Sequence, residues 1–285
     1  MDKREFHAHD IRIAAFDLDG TVLDEGCMSE EVGRAIDALS ASGVATAIAT
    51  GRDISQIPLD VFAHFSYFVT ANGAMVTDRD GNVIFGQPMD PHTAWEALRI
   101  LHANGGKSCI YLNGFVVVSP RFLIRLLRRT NYLSKSHRKS TKEVRKSGMT
   151  VRMRHYVKKR DISVFRIQTF FRNMDDASKA SGQLRATGKH QTVLLTDKSI
   201  ETTAHGITKA GGLLTLCNHL GCGPQNIIAF GDSANDLDML GEAGFSVGMG
   251  NAEQCVLDKA DYITDTVKDD GVATAIRKLF RIQTN

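Results

Sequence analysis

Ile11 to Phe16 is an apolar run that stops abruptly at Asp17-Leu18-Asp19-Gly20-Thr21. That is the profile of a buried parallel strand feeding a turn. After Ser29, Val32, Ala35, Ile36 and Leu39 recur at helical spacing, with Ser29 able to cap the helix and Gly43 to end it. Val44 to Ala49 reads as a second buried strand, ending in Thr50-Gly51-Arg52, and a helix is predicted from about Asp53. Tyr67 to Thr70 is a third strand, ending at Ala71-Asn72-Gly73. This strand–helix alternation predicts a parallel sheet with helices on both faces.

The rhythm then breaks. Ala74 to Phe85 reads as a hairpin around Asp80-Gly81-Asn82. Beyond it only a strand over Ser163–Phe170 and a helix over Asp175–Ala186 stand out. Alternation returns near Gln191, with a helix over Thr208–Leu220 and a strand over Asn226–Phe230 that ends in Gly231-Asp232-Ser233. A helix over Ala234–Leu240, a strand over Phe245–Met249 and a closing helix over Asp270–Leu279 follow. A chain of 285 residues suits about two domains. The expected architecture is α/β: a discontinuous Rossmann-like core, 1–84 and 190–285, interrupted by an α+β insertion, 85–189.

Polar clusters fall where those strands end, and open α/β sheets bind ligands outside the carboxyl ends of their strands. Asp17 and Asp19, two apart after a buried strand, can serve as nucleophile and proton shuttle. Gly20 allows the sharp turn between them and Thr21. Asp232, Asn235 and Asp236 add oxygen donors, and with Asp17 and Asp19 make a sulfur-free set suited to Mg²⁺. The hydroxyl of Thr50, followed by Gly51, can hold a phosphate oxygen, and Lys209 at a helix start can neutralise nucleophile and phosphate. Each cluster taken alone also fits an ordinary turn or a capped helix start.

Together they resemble the haloacid dehalogenase superfamily in all four of its motifs: Phe16-Asp17-Leu18-Asp19-Gly20-Thr21, then Thr50 in Ala49-Thr50-Gly51-Arg52, Lys209 in Gly206-Ile207-Thr208-Lys209, and Gly231-Asp232-Ser233-Ala234-Asn235-Asp236. The insertion lies between the second and third motifs, where that family's C2-type caps are found. Ala71-Asn72-Gly73-Ala74 and Ser199-Ile200-Glu201 resemble the Cof-type subgroup. One departure is Ala210-Gly211 after Lys209, where Gly-x-Ala is more usual.

The resemblance implies a Mg²⁺-dependent phosphatase acting on a small phosphate ester, a sugar phosphate or phosphorylated cofactor. Asp17 would attack phosphorus and Asp19 would handle the proton. The metal would be held by Asp17, the Asp19 carbonyl and Asp232, with Asp236 and Asn235 in support, while Thr50, Gly51 and Lys209 bind the phosphoryl group. An acid at position 19 goes with phosphatases and mutases rather than with the P-type ATPases, which have Thr there. A phosphotransferase or mutase on the same core, and a non-catalytic polyanion-binding protein, are the competing readings.

Composition adds three points. Hydrophobic residues make up 42% and charged residues 24%, a globular profile. No stretch approaches the roughly 18 apolar residues of a membrane span, and Met1–Asp10 lacks the apolar core of a signal peptide, so a cytoplasmic location is expected. The five cysteines are scattered and fit neither a disulfide framework nor a zinc site.

The net charge of +3 hides a concentration: residues 121–160 carry fifteen Lys or Arg against Glu143 alone. A solvated face, a funnel for an anionic substrate and a nucleic-acid surface are the candidate explanations. Sparse aromatics (Phe122, Tyr132, Tyr156) argue against nucleic acid. Oligomeric state is not legible.

Overall fold

The computed structural model describes residues 4–112, 115–118, 157, 162–195 and 197–282. The basic segment 121–160 therefore lies outside the described residues, Val157 excepted. Five strands precede the insertion: β1 (Ile13–Phe16), β2 (Ala45–Ala49), β3 (Tyr67–Thr70), β4 (Met75–Asp78) and β5 (Val83–Gly86). Within it come β6 (Lys107–Leu112), β7 (Phe115–Val118), β8 (Arg166–Phe170), β9 (His190–Leu194) and β10 (Ser199–Ala204). Three follow: β11 (Ile227–Gly231), β12 (Phe245–Gly248) and β13 (Tyr262–Ile263). The longer helices are α1 (Glu30–Ala41), α2 (Pro91–Ala103), α3 (Met174–Ala186), α4 (Lys209–Leu220), α5 (Leu237–Glu242) and α6 (Gly271–Phe280).

The chain divides into two compact units. The first holds 1–51, 58–86 and 208–285, the second 52–57 and 87–207. The first is built on an eight-stranded sheet in the order β13-β12-β11-β1-β2-β3-β4-β5. Its strands run parallel from β13 to β3, and β4 and β5 form the antiparallel hairpin at the edge.

Both faces of β1 are buried, which is why Ile-Ala-Ala-Phe reads as a continuous apolar run. On one face Ile13, Ala15, Ala47, Val69 and Ala229 pack against Leu213 and Leu216 of α4 and Met239 and Leu240 of α5. Toward the other, Phe16 stacks on Phe230 at 4.6 Å and meets Phe65 edge-on at 5.8 Å. In register, Phe16 lies opposite both Phe230 and Ile48. The segments after β1, β2 and β11 therefore leave the sheet at one level, as the topology of a ligand-binding edge requires.

The second unit carries a five-stranded antiparallel sheet, order β7-β6-β8-β10-β9. Helices α2 and α3 cover one face through Ala94, Ala97, Leu98, Ala177, Ala180 and Leu184, packed on Ile110, Ile167 and Ile200. Among the described residues, no helix is long and apolar enough to cross a membrane.

The elements differ from the sequence reading in three places. The helix expected from about Asp53 starts only after Pro58, as a short α-helix over Leu59–Phe62, and Ile54–Gln56 before it is a 3₁₀ turn capped by Asp53. Pro58 holds Ile57 extended (φ −79°, ψ 126°), because proline disfavours helical backbone in the residue before it. The helix expected over Ala234–Leu240 begins as a 3₁₀ turn, Ala234–Asp236, before α5. The return to the core, expected at 190, comes after Ile207, because β9 and β10 pair with each other and β10 pairs with β8 in the second sheet.

Candidate active site

The site lies wholly in the first unit and is assembled from strand ends. Asp17 follows β1 directly, and its N–H donates to Phe230 O at 2.9 Å, continuing the ladder with β11. The chain then doubles back tightly: Val22 and Leu23 N–H both donate to Leu18 O. Gly20 has φ +85°, and a Cβ there would stand 2.4 Å from Asp232 Oδ2. Only glycine fits both the conformation and the space. Asp17 is thereby buried, while Asp19 stays exposed beside it.

Lys209 opens α4, whose N-cap Thr208 accepts from Gly211 N–H. A cation at a helix N-terminus opposes the helix dipole, so its partners must offset that and the burial as well. They do: Nζ donates to Asp17 Oδ1 and, at 2.7 Å, to Asp236 Oδ1. Burial works against the Lys209 charge, but the two carboxylates outweigh it and raise its pKa. Asp236 spends its other oxygen on the backbone N–H groups of Asp232 and Ser233, both at 3.1 Å. With both oxygens engaged, Asp236 holds Lys209 and the Asp232 loop in place.

Asp17, Asp232 and Asp236 have carboxylate oxygens within 4.8 Å of one another. Three carboxylates face one ammonium. Burial, then the charge of Asp236, pushes Asp17 well above the usual carboxylate range, with Lys209 acting against the shift. Burial and Asp236 likewise push Asp232 up to about 6, against a hydrogen bond from Thr21. An oxygen-only donor set with surplus negative charge fits a hard divalent cation. The Asp19 carboxylate is not part of that group. Asn235 is half-buried and accepts from Ser233 Oγ at 2.6 Å.

Thr50 is buried at the end of β2, its N–H donating to Val69 O. Its carbonyl accepts from Asn72 N–H at 3.0 Å. Asn72 sits in a run of left-handed residues, Ala71 (φ 51°), Asn72 (φ 58°) and Gly73 (φ 99°). For a non-glycine residue such as Ala71 that conformation costs about 1–2 kcal/mol.

The bend presses Gly73 against the start of α4: a Cβ there would lie 2.0 Å from Thr208 O. Gly212 receives it from the helix side, since a Cβ on Gly212 would come within 3.0 Å of Gly73 Cα. One bend thus braces the backbone at Thr50 and next to Lys209. Gly73→Ala is expected to lower stability by more than about 2 kcal/mol, measured by thermal unfolding, because backbone rather than a flexible side chain must move.

Three contributors are given no role by the sequence reading, Thr21 and Gly73 within its motifs and Asn251 outside them. Thr21 Oγ1 donates to Asp232 Oδ1 at 3.1 Å. Asn251 Nδ2 donates to Gly20 O at 2.9 Å, and Asn251 Oδ1 accepts from Val267 N–H. Gly73 makes the close approach to α4 described above. Each joins segments far apart in the chain.

Residues 14–276 match the family model of the haloacid dehalogenase-like hydrolases. The chain belongs to that family. A 5-amino-6-(5-phospho-D-ribitylamino)uracil phosphatase of Bacillus subtilis (strain 168), YcsE, is 29% identical over 271 residues, covering 94% of this chain and 95% of the relative. An HMP-PP phosphatase of Enterobacter sp. (strain 638) is 27% identical over 254 residues, 85% of each chain. The solved structure of a haloacid dehalogenase-like hydrolase from B. subtilis superposes with TM-score 0.80 at 22% identity, covering 94% of this chain and 99% of that one. The haloacid dehalogenase-like fold, a parallel-sheet core with an added antiparallel sheet, is therefore shown, as is membership of the Cof-type hydrolases. The chain is a phosphoric monoester hydrolase of this family.

Proposed function

We propose that this hydrolase is a Mg²⁺-dependent phosphatase of a small phosphorylated metabolite, working through an aspartyl-phosphate on Asp17. The observation that carries the reading is the buried Lys209 bonded to both Asp17 and Asp236, with Asp232 close by. Lys209 fixes the orientation of Asp17 and opposes the effect of burial and Asp236 on its charge, which is what a carboxylate nucleophile needs.

In the first step an Asp17 oxygen bonds to phosphorus while the bond from phosphorus to the ester oxygen breaks, and Asp19 gives its proton to the departing alkoxide. In the second, Asp19 takes a proton from water, whose oxygen bonds to phosphorus, and the acyl-phosphate bond breaks to restore Asp17 and release phosphate. Thr50, the backbone at Gly51 and Lys209 hold the equatorial oxygens, with Asn235 beside them. Asp17, Asp232 and the Asp19 carbonyl would hold Mg²⁺, with Asp236 supporting Asp232. The bound ion supplies positive charge where phosphoryl transfer spreads negative charge over oxygen.

The named activities of the two relatives make phosphorylated metabolites such as 5-amino-6-(5-phospho-D-ribitylamino)uracil the first substrates to try. The test is a panel of phosphate esters in buffer without any acceptor, reading free phosphate. Release that requires Mg²⁺ supports hydrolysis. Turnover that appears only when an alcohol or sugar acceptor is added assigns the site to phosphotransfer instead.

The raised Asp232 pKa gives a second expectation. A carboxyl held above its ordinary value contributes stability that is present at low pH and lost as pH rises through about 6 in the metal-free protein. Mg²⁺ replaces the missing proton, so the Mg²⁺-induced rise in Tm is expected to be small below pH 6 and to grow above it. A rise independent of pH across that range would remove Asp232 from the metal site.

A further inference from the structure

Two cysteines bracket the end of α4. Gly221 stops the helix in the left-handed conformation (φ 65°, ψ 39°), and its N–H donates to Asn218 O at 3.3 Å. The next N–H, of Cys222, reaches back to Cys217 O at 3.0 Å. These two bonds are the Schellman closure of a helix, in which the side chains of the first and last residues meet over the turn. Here both residues are cysteine. A path from Cα to the carbonyl oxygen, across that hydrogen bond and on to the next Cα, is shorter than about 7 Å even when straight. The two residues are therefore within bridging range of a disulfide.

The two thiols are not equivalent, although both are free. Cys217 is 1% exposed, in the core that α4 shares with the eight-stranded sheet, and Cys222 is half-buried against the same cluster. Burial first, then the charge of Cys222 and a hydrogen bond with its sulfur, pushes Cys217 up to about 12. The thiolate is the attacking species, so Cys222 is the sulfur that meets a reagent from solvent. A substituent on Cys222 removes two of the three effects that keep Cys217 protonated and leaves burial alone. Two small apolar residues would fill the same contact, whereas two sulfurs add a bond that can form and break.

We propose that Cys217 and Cys222 are a reversible oxidation site, at which a low-molecular-weight disulfide, RSSR, converts the pair into an intrachain disulfide across the end of α4. The Cys222 thiolate attacks one sulfur of RSSR. That S–S bond breaks, and RS⁻ leaves and takes up the proton that Cys222 lost. Cys217 then gives up its proton and its sulfur bonds to Cys222 Sγ. The mixed disulfide breaks, and the second RS⁻ leaves with that proton. Two protein thiols are oxidised to one disulfide, and one RSSR is reduced to two RSH. Excess thiol runs both steps backwards.

The bond has a consequence for the chain around it. Residues 221–226 lead from α4 into β11, at whose carboxyl end Asp232 lies. That connection is closely held: Gly223 O accepts from Asn226 N–H at 3.0 Å and Pro224 O from Gly244 N–H at 2.8 Å. An adduct left on Cys222 presses on this turn, and oxidation of its sulfur beyond the sulfenic acid is not reversed by thiols. Closing the disulfide expels the adduct and straps the turn to the helix. Lys209, at the opposite end of α4, is left where it is.

The test incubates the full-length protein with oxidised glutathione and reads the cysteines by differential alkylation and peptide mass spectrometry. Wild type is expected to carry a Cys217–Cys222 disulfide that dithiothreitol reverses. Cys217→Ala is expected to keep glutathione on Cys222, because nothing displaces it, and Cys222→Ser to leave Cys217 reduced. Cys27, exposed in all three, reports that the oxidant reached the protein. Measured against Cys222→Ser in the same oxidising buffer, the Tm of wild type should rise by about 4 °C and that of Cys217→Ala should fall.

Glutathione that stays on Cys222 of wild type, or a reduced Cys222 beside a modified Cys27, would overturn the site. A disulfide that forms without raising Tm would overturn the strapping role. Should Cys217→Ala fail to fold, wild type and Cys222→Ser still decide both points.

Discussion

Asp17→Asn is expected to cut turnover by at least about 10³-fold, as loss of a covalent nucleophile does in other hydrolases. The amide has the shape of the carboxylate but cannot form the acyl-phosphate. The fold should survive. Lys209 keeps Asp236 as partner, and the ionised Asp17 is itself disfavoured by burial and by the charge of Asp236. Removing that charge is expected to leave the Tm of the metal-free protein unchanged or higher, and to weaken Mg²⁺ binding. Phosphate release and thermal unfolding, measured on the same preparation, check both halves.

Lys209→Met should behave in the opposite way. It leaves the carboxylates of Asp17 and Asp236 buried with no ammonium between them. Breaking a buried pair from one side costs about 3–5 kcal/mol, far more than an exposed ion pair contributes. Activity is expected to fall by about 10²–10³-fold through loss of positive charge at the phosphoryl oxygens. Mg²⁺ should recover part of the stability, because it supplies some of the missing charge, but not the activity. Thermal unfolding with and without Mg²⁺ separates the two effects. A Lys209→Met protein as stable as wild type in the absence of metal would contradict the electrostatic account of the site.

The strand-end geometry was legible for a plain reason. Ile13–Phe16 and Ile227–Gly231 are buried on both faces, so each reads as an unbroken apolar run with its polar cluster at the carboxyl end. The limit of the second unit was not. His190–Leu194 follows a helix as a core strand would, and nothing local says that it pairs with Ser199–Ala204. The late start of the helix expected at Asp53 could have been anticipated from Pro58.

Arg166 bonds Glu201 and Gln56, which lie 35 and 110 residues away, and although Ser199-Ile200-Glu201 stood out as a motif, nothing in the sequence pairs it with Arg166. The same distance hides the approach of Gly73 to Thr208. Motifs show which residues carry the chemistry, whereas the residues that hold them in place are set by tertiary contacts.

The most direct test of the central claim is to quench the enzyme with acid during turnover, in Mg²⁺ and its best phosphate ester, and to map any phosphoryl group by peptide mass spectrometry. The account predicts one phosphoryl group, on Asp17, that disappears when substrate runs out and never forms in Asp17→Asn. A phosphoryl group on another residue, or an Asp17→Asn protein that still turns over at the wild-type rate, would contradict it.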